Sequence, residues 1–281
     1  MKRLSIFFST VLLFGAGGAR FDEARKYYHL SEFGKSLQVL RDVPQKDAAV
    51  WELIGQNYYG EADFKKATEA LEKAAALDPS NSDIQLWLGR AFGRRAETSS
   101  PITAPGYASK ARQYFEKATQ LNPNNLDAQS DLFEYYLEAP GFLGGGFEKA
   151  AAVAEQISRL NASEGYWAQA KLAEKRKEYR TAETHLRQAI DAAPQQVGRL
   201  IDLAKLFTRQ GKHKEADQSL AKAEEIAPNA PQLLFARAEI YVKSKRNLDV
   251  ARQLLKQYLS MTITPDDPPK ADAEKLLKQA L

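Results

Sequence analysis

Apolar residues recur at helical spacing along nearly the whole chain, and the pattern repeats on a longer scale. The stretch "WELIGQNYYGEADFKKATEALEKAAALDP" (51–79) lines up with "LIDLAKLFTRQGKHKEADQSLAKAEEIAP" (200–228). Each pairs one helical pattern with a second and ends in proline at the same distance. Counting from residue 48, Trp51, Ile54, Gly55, Tyr58, Ala67, Leu71, Ala74 and Pro79 fall at positions 4, 7, 8, 11, 20, 24, 27 and 32. A small residue at position 8 recurs as Ala24, Gly55, Gly89, Ala170, Ala204 and Ala238, and one at position 20 as Ser36, Ala67, Ala111, Ala150, Ala182, Ala216 and Ala251. Small side chains there let the two helices of a unit, A and B, approach closely. The large residue at position 24 (Leu40, Leu71, Phe115, Leu186, Leu220, Leu255) is expected to fill the space against the next unit. Pro79, Pro123, Pro194 and Pro228 stop helix B, because proline cannot donate to a continuing ladder.

The pattern predicts units starting near residues 17, 48, 82, 126, 163, 197 and 231. In spacing and residue types it resembles the tetratricopeptide repeat, a helix–turn–helix unit of 34 residues. The resemblance covers roughly residues 20–262. It implies an all-α, right-handed α-solenoid, with the segment 263–281 ("PPKADAEKLLKQAL" within it) as a C-terminal capping helix. Phe133 at position 8 and Ala154 at position 24 depart from the pattern, so the fourth unit is irregular. Two A–B connections are long: 94–110 in unit three, and 139–147 within "APGFLGGGFEKA" in unit four. Insertions at equivalent positions of adjacent repeats emerge on one edge of a solenoid.

The N-terminus changes the picture once. Lys2 and Arg3 precede an apolar run from Leu4 to Phe14, followed by the small residues "GAGGA". This is the three-part layout of a signal peptide over residues 1–19, too short in its apolar part to span a bilayer comfortably. It predicts export to the periplasm or beyond, with no stable membrane insertion once the segment is removed. Its removal takes the formal charge from +4 to +2, an even balance that gives no general argument for nucleic acid. The chain has no cysteine, which excludes disulfide scaffolds, thiolate metal sites and catalytic thiols.

Catalytic chemistry finds no convergent cluster. His29, His185 and His213 fall at unrelated positions of different units, and no catalytic, cofactor or metal site is expected. Glu134 and Glu138, four apart on one helix, are expected as neighbours in the groove. In the family that the chain resembles, helix A positions 2, 5, 9, 12 and 13 line the concave face. Position 5 of units five to seven holds Trp167, Ile201 and Phe235, while Lys175, Arg209 and Lys243 hold position 13, with Lys171 and Lys205 at position 9. Either these form an apolar strip beside a cationic one, suited to a peptide with acidic groups, or the apolar row packs inward and the lysines form a solvated face. The Gly-rich turn lacks nucleotide-binding spacing. There Pro140 would end helix A, Gly144, Gly145 and Gly146 would permit positive φ, and Phe142 and Leu143 would tuck back onto the array or meet a partner. The resemblance implies a non-enzymatic scaffold binding a partner protein or peptide in its groove. A glycan- or substrate-docking module of an envelope polysaccharide or secretion machine is the alternative.

Overall fold

The computed structural model describes the backbone of residues 10–280 and the side chains of residues 18–280. Residues 1–9 and the side chains of 10–17, most of the segment read as a signal peptide, lie outside the described residues. Among the described residues there are fifteen α-helices, one short 3-10 turn and no strand. The first fourteen helices form seven helix–turn–helix pairs. Unit one is α1 (Thr10–His29) with α2 (Phe33–Arg41), and unit two is α3 (Ala48–Gly60) with α4 (Phe64–Leu77). Unit three is α5 (Ser82–Thr98) with α6 (Ala104–Leu121), and unit four is α7 (Leu126–Glu138) with α8 (Phe147–Leu160). Units five to seven are α9 (Ala162–Lys175) with α10 (Tyr179–Ala192), α11 (Val197–Arg209) with α12 (His213–Ile226), and α13 (Pro231–Lys243) with α14 (Leu248–Ser260). Each helix packs on its sequence neighbours, and A helices also touch the next A helix, as in α3 with α5 and α7 with α9. The result is an α-solenoid.

Local chemistry starts and stops these helices. The A helices of units two to five begin on Asp47, Asn81, Asn125 and Asn161, whose side chains accept from a backbone N–H of the first turn. Each satisfies a donor that the helix geometry leaves open. Five A–B turns share one device. Ser31, Ala62, Lys177, Gly211 and Lys245, at the same position of their units, adopt left-handed φ between 52° and 72°. The residue after each donates its N–H five residues back, for example Asp63 to the Tyr58 carbonyl at 2.9 Å. This closes the last carbonyls of helix A. Only one of the five is glycine, so the bonds of the turn outweigh a local cost of about 1 kcal/mol at the other four.

Between the helices of a unit, the small and large positions interlock. A Cβ on Gly55 would collide with the Leu71 side chain, and one on Gly89 with the Phe115 ring. The large residue at position 24 is therefore seated in the notch left by position 8 of its own unit, not only against the next one. Leu40, Leu71, Leu220 and Leu255 at that position are fully buried.

The two long connections differ from each other. Of residues 94–110, only Ser99–Thr103 lie between helices; the extra length has become additional turns of α5 and α6. Its Ala, Glu, Arg and Lys favour helix, and Pro105 falls in the first turn of α6, where its missing N–H costs nothing. The connection of unit four stays a turn, with a 3-10 turn at Gly141–Leu143. Gly144 has φ 87°, while at Gly145 any Cβ would strike the Ala139 carbonyl. The Tyr135 hydroxyl donates to the Leu143 carbonyl at 2.9 Å, and Lys149 Nζ to the Gly144 carbonyl at 2.9 Å. The turn lies against α6, since a Cβ on Gly144 would meet the Arg112 side chain.

Beyond unit seven, residues 261–269 form a strap leading to α15 (Lys270–Gln279). Ala273 and Leu276 of α15 join Leu234, Val242, Leu255 and Tyr258 in a buried cluster over the end of the array. Arg252 reaches the Ala280 carbonyl at 2.6 Å. The solenoid curves far enough that Asp272 of α15 comes within 3.6 Å of Arg94 on α5.

Candidate functional site: two halves of the concave face

The groove of units five to seven is sealed. Trp167 and Ile201 are each 7% exposed and belong to the central core, so they present no apolar strip; Phe235 is half-buried, 5.5 Å from the Tyr258 ring. Trp167 packs edge-on against Phe133, and the Arg199 guanidinium covers its ring at 5.0 Å. Arg199 is held in turn by Glu164 and by Asp202 at 2.7 Å. The cationic row is paired as well. Lys175 meets Glu138 at 2.9 Å, Arg209 meets Glu174 at 2.8 Å, and Glu239 sits between Lys205 at 2.8 Å and Lys243 at 2.6 Å. Burial alone would raise the Glu239 carboxyl, but its two lysines outweigh it and hold it below the usual carboxylate range. Sequence spacing placed the lysines in one register; neighbouring units supply the partners of Lys175, Arg209 and Lys205, while Lys243 meets Glu239 of its own helix. Glu138 is thereby spent on Lys175, while Glu134 faces Lys171 and is raised by burial and the surrounding Asp131, Asp202 and Glu138.

The other half is open. A cleft of about 430 Å³ lies between the concave side of units one to three and the strap. One wall is Tyr28, Leu30, Phe33, Gln56, Tyr59 and Trp87; the other is the run from Ser260 to Thr264 with Pro265, Asp267, Pro269 and Lys270. Each aromatic is locked from behind. Phe33 lies across the end of α3 because Gly60 has no Cβ to block it. Tyr59 is edge-on to Phe64 and Trp87 at 5.5 and 5.4 Å, and Tyr28 is 5.9 Å from Phe33. Trp87 holds Arg90 over its ring at 5.2 Å, and Arg90 is anchored to Asp131 at 2.5 Å.

The strap is shaped independently of that wall. Thr264 donates its N–H and its hydroxyl to the Asp267 carboxylate at 2.8 and 2.9 Å. Ile263 is buried under α15's side of the cap, and the Tyr258 hydroxyl donates to the Pro268 carbonyl. Beside the cleft stands Glu52, which accepts from Gln56 Nε2 at 3.0 Å. Burial, with Asp83 and Asp78 nearby, pushes its carboxyl up to about 7.

Tyr28 and Tyr59 occupy position 12 of units one and two, a groove position of the family, so part of this wall was readable in the sequence. The strap's role was not, because nothing local encodes how far seven units curve. On the outer edge, Phe142 is 81% exposed and does not tuck back, whereas Leu143 is half-buried. Ile102, in the neighbouring connection, is 91% exposed. Pro140 follows the end of α7 in extended geometry, and Gly146 donates its N–H to the Tyr136 carbonyl, closing the turn.

Models of the tetratricopeptide repeat match residues 52–97, 201–268 and 106–125. No curated protein matches the chain. Among solved structures, a tetratricopeptide-repeat protein from Parabacteroides merdae is similar with a TM-score of 0.62 at 16% identity, over 95% of this chain and 99% of that one. A thermophilic one from Thermus thermophilus has a TM-score of 0.56 at 17% identity, over 68% of this chain and 98% of that one. The C-terminal part of a repeat protein from Cytophaga hutchinsonii has a TM-score of 0.50 at 16% identity, over 90% and 98%. At such identities the likeness shows the shared fold.

Proposed function

Because the chain is a tetratricopeptide-repeat protein, we propose that it is a non-enzymatic scaffold whose concave face captures a segment of a partner protein, anchored in the cleft of units one to three. Repeats of this kind serve protein–protein interaction in general. The observation that carries the specific reading is the aromatic cleft of about 430 Å³ on the concave side. Its volume suits a few side chains of an extended peptide, and its aromatic wall offers large contact area at low conformational cost. The groove of units five to seven is a weaker host, since Trp167 is buried and four of its five cations, all but Lys171, are already paired among the described residues. Ile102 and Phe142 on the outer edge are the second contact in this reading.

A glycan-docking module is the second reading, favoured by the same aromatic wall. We also infer export, on the pattern of Lys2, Arg3, the apolar run 4–14 and the small residues after it. Among the described residues no helix is long and apolar enough to cross a membrane.

The test is selection of a displayed peptide library on the full chain, followed by photo-crosslinking of the selected peptides from position 56. Selected peptides should crosslink there and lose binding in Gln56→Trp, which fills the cleft. Peptides that bind equally well to that variant would place capture elsewhere. Recovery of oligosaccharides and of no peptide would favour the glycan reading.

A further inference from the structure

We propose that the cleft is a receptor for a cationic side chain, so that the captured partner segment carries an exposed lysine or arginine. This rests on the peptide-capture reading and supplies the chemistry of its ligand.

The inference starts from Tyr28. It is only 8% exposed and lines the cleft, yet its hydroxyl makes no hydrogen bond among the described residues. The oxygen itself is not buried and is open to the cleft, within reach of a ligand there. This oxygen can accept from an ammonium or guanidinium N–H. Phe33, Tyr59 and Trp87 line the same cleft. Aromatic rings attract a cation placed over a face through their quadrupoles. The same wall already holds one cation in this way, Arg90 over Trp87.

The charges around the cleft agree. Glu32 is paired with Lys35, Asp272 lies near Arg94, and Asp267 caps the strap. Glu52, which accepts from the cleft-lining Gln56, and Asp266 in the strap have no ion-pair partner among the described residues; burial and these two acids raise the Tyr28 hydroxyl, with Arg90 opposing them. Lys270 is the lining lysine that opposes them. The raised carboxyl of Glu52 is what a half-buried acid shows when no cation offsets its burial. An incoming ammonium or guanidinium would supply that charge. In units five to seven, where one reading of the sequence set a cationic strip against an acidic peptide, Lys175, Arg209, Lys205 and Lys243 are taken by Glu138, Glu174 and Glu239.

The experiment measures fluorescence anisotropy on the full chain at pH 8 with three labelled dodecapeptides. One alternates lysine with alanine, the second carries acetyl-lysine in place of lysine, and the third carries glutamate. The lysine peptide should bind at least about tenfold more tightly than the other two, with affinity falling as salt rises. The pair Glu52→Gln with Asp266→Asn should weaken it by about three- to tenfold, and Lys270→Gln should strengthen it by about threefold. Glu72→Gln, an exposed change on α4 away from the cleft, should leave it unchanged and so separates the cleft from diffuse attraction. Circular dichroism melts confirm that each variant folds. Equal binding of the acetylated peptide, preference for the glutamate peptide, or an equal effect of Glu72→Gln would each overturn the proposal. If library peptides still bind at position 56 under those outcomes, capture stands and only the charge assignment falls. If no peptide binds there, both fall.

Discussion

Units one to three and units five to seven are built from the same repeat, yet their concave faces end in opposite states. In the second half, position 5 is driven inward: Trp167 and Ile201 become core, and lysines and arginines are bridged to acids of adjacent units. In the first half, aromatic residues at position 12 stay at the surface of a cleft and a carboxylate stands without a cation. The difference teaches that a repeat position specifies a direction, while neighbouring units decide whether what points that way is covered. One half is finished internally. The other is completed only by something added.

The largest test of that contrast is Trp167→Ala, which should cost about 4 kcal/mol in urea unfolding if the residue is core. A loss below about 1 kcal/mol would return Trp167 to the surface and undo the comparison. Next, Glu164→Ala should cost about 2 kcal/mol, because Arg199 at 11% exposure would keep only Asp202. The matching change in the open half has the opposite sign. Glu52 holds its proton more tightly in the folded chain than in the unfolded one, where 4.5 is its ordinary value. Its contribution to stability therefore falls as pH rises from 4.5 to about 7, then stays level. Glu52→Gln should stabilise by about 1 kcal/mol at pH 8 and by nothing measurable at pH 4. A gain that persists at pH 4 would assign the effect to something other than the charge. The smallest expected effect is at the exposed pair of Lys175 and Glu138, where Lys175→Met should cost about 0.3 kcal/mol. A larger loss would mean that the ladder of pairs acts as a unit.

Much of the fold was legible because it is local. Small residues at positions 8 and 20 and a large one at 24 encode the A–B contact, and Gly55 under Leu71 shows the interlock directly. The proline stops and helical spacing mark the units. The unit spacing predicts a long A–B connection over 94–110, whereas five residues suffice for the turn and the remainder prolongs two helices already packed together. Phe142 is expected either to tuck back or to meet a partner, and it does not tuck back. Tyr135 and Lys149 pin the carbonyls of Leu143 and Gly144 that follow it, and Phe142 is left exposed.

The candidate site was half legible. Tyr28 and Tyr59 stand at a groove position and were there to be read; the spacing left Lys175, Arg209 and Lys243 open as a cationic strip or a solvated face, and each of them is paired with an acid. Charge counted along one helix face says nothing about the acids that a neighbouring unit brings within 3 Å.

By itself, then, the sequence determined the helices, their pairing within each unit and the residues directed toward the concave side, since these depend on contacts a few tens of residues apart. Only the tertiary structure decided which groove charges are neutralised and that the strap after unit seven faces unit one. Both depend on the small rotation from each unit to the next, summed over seven. No single repeat carries that sum.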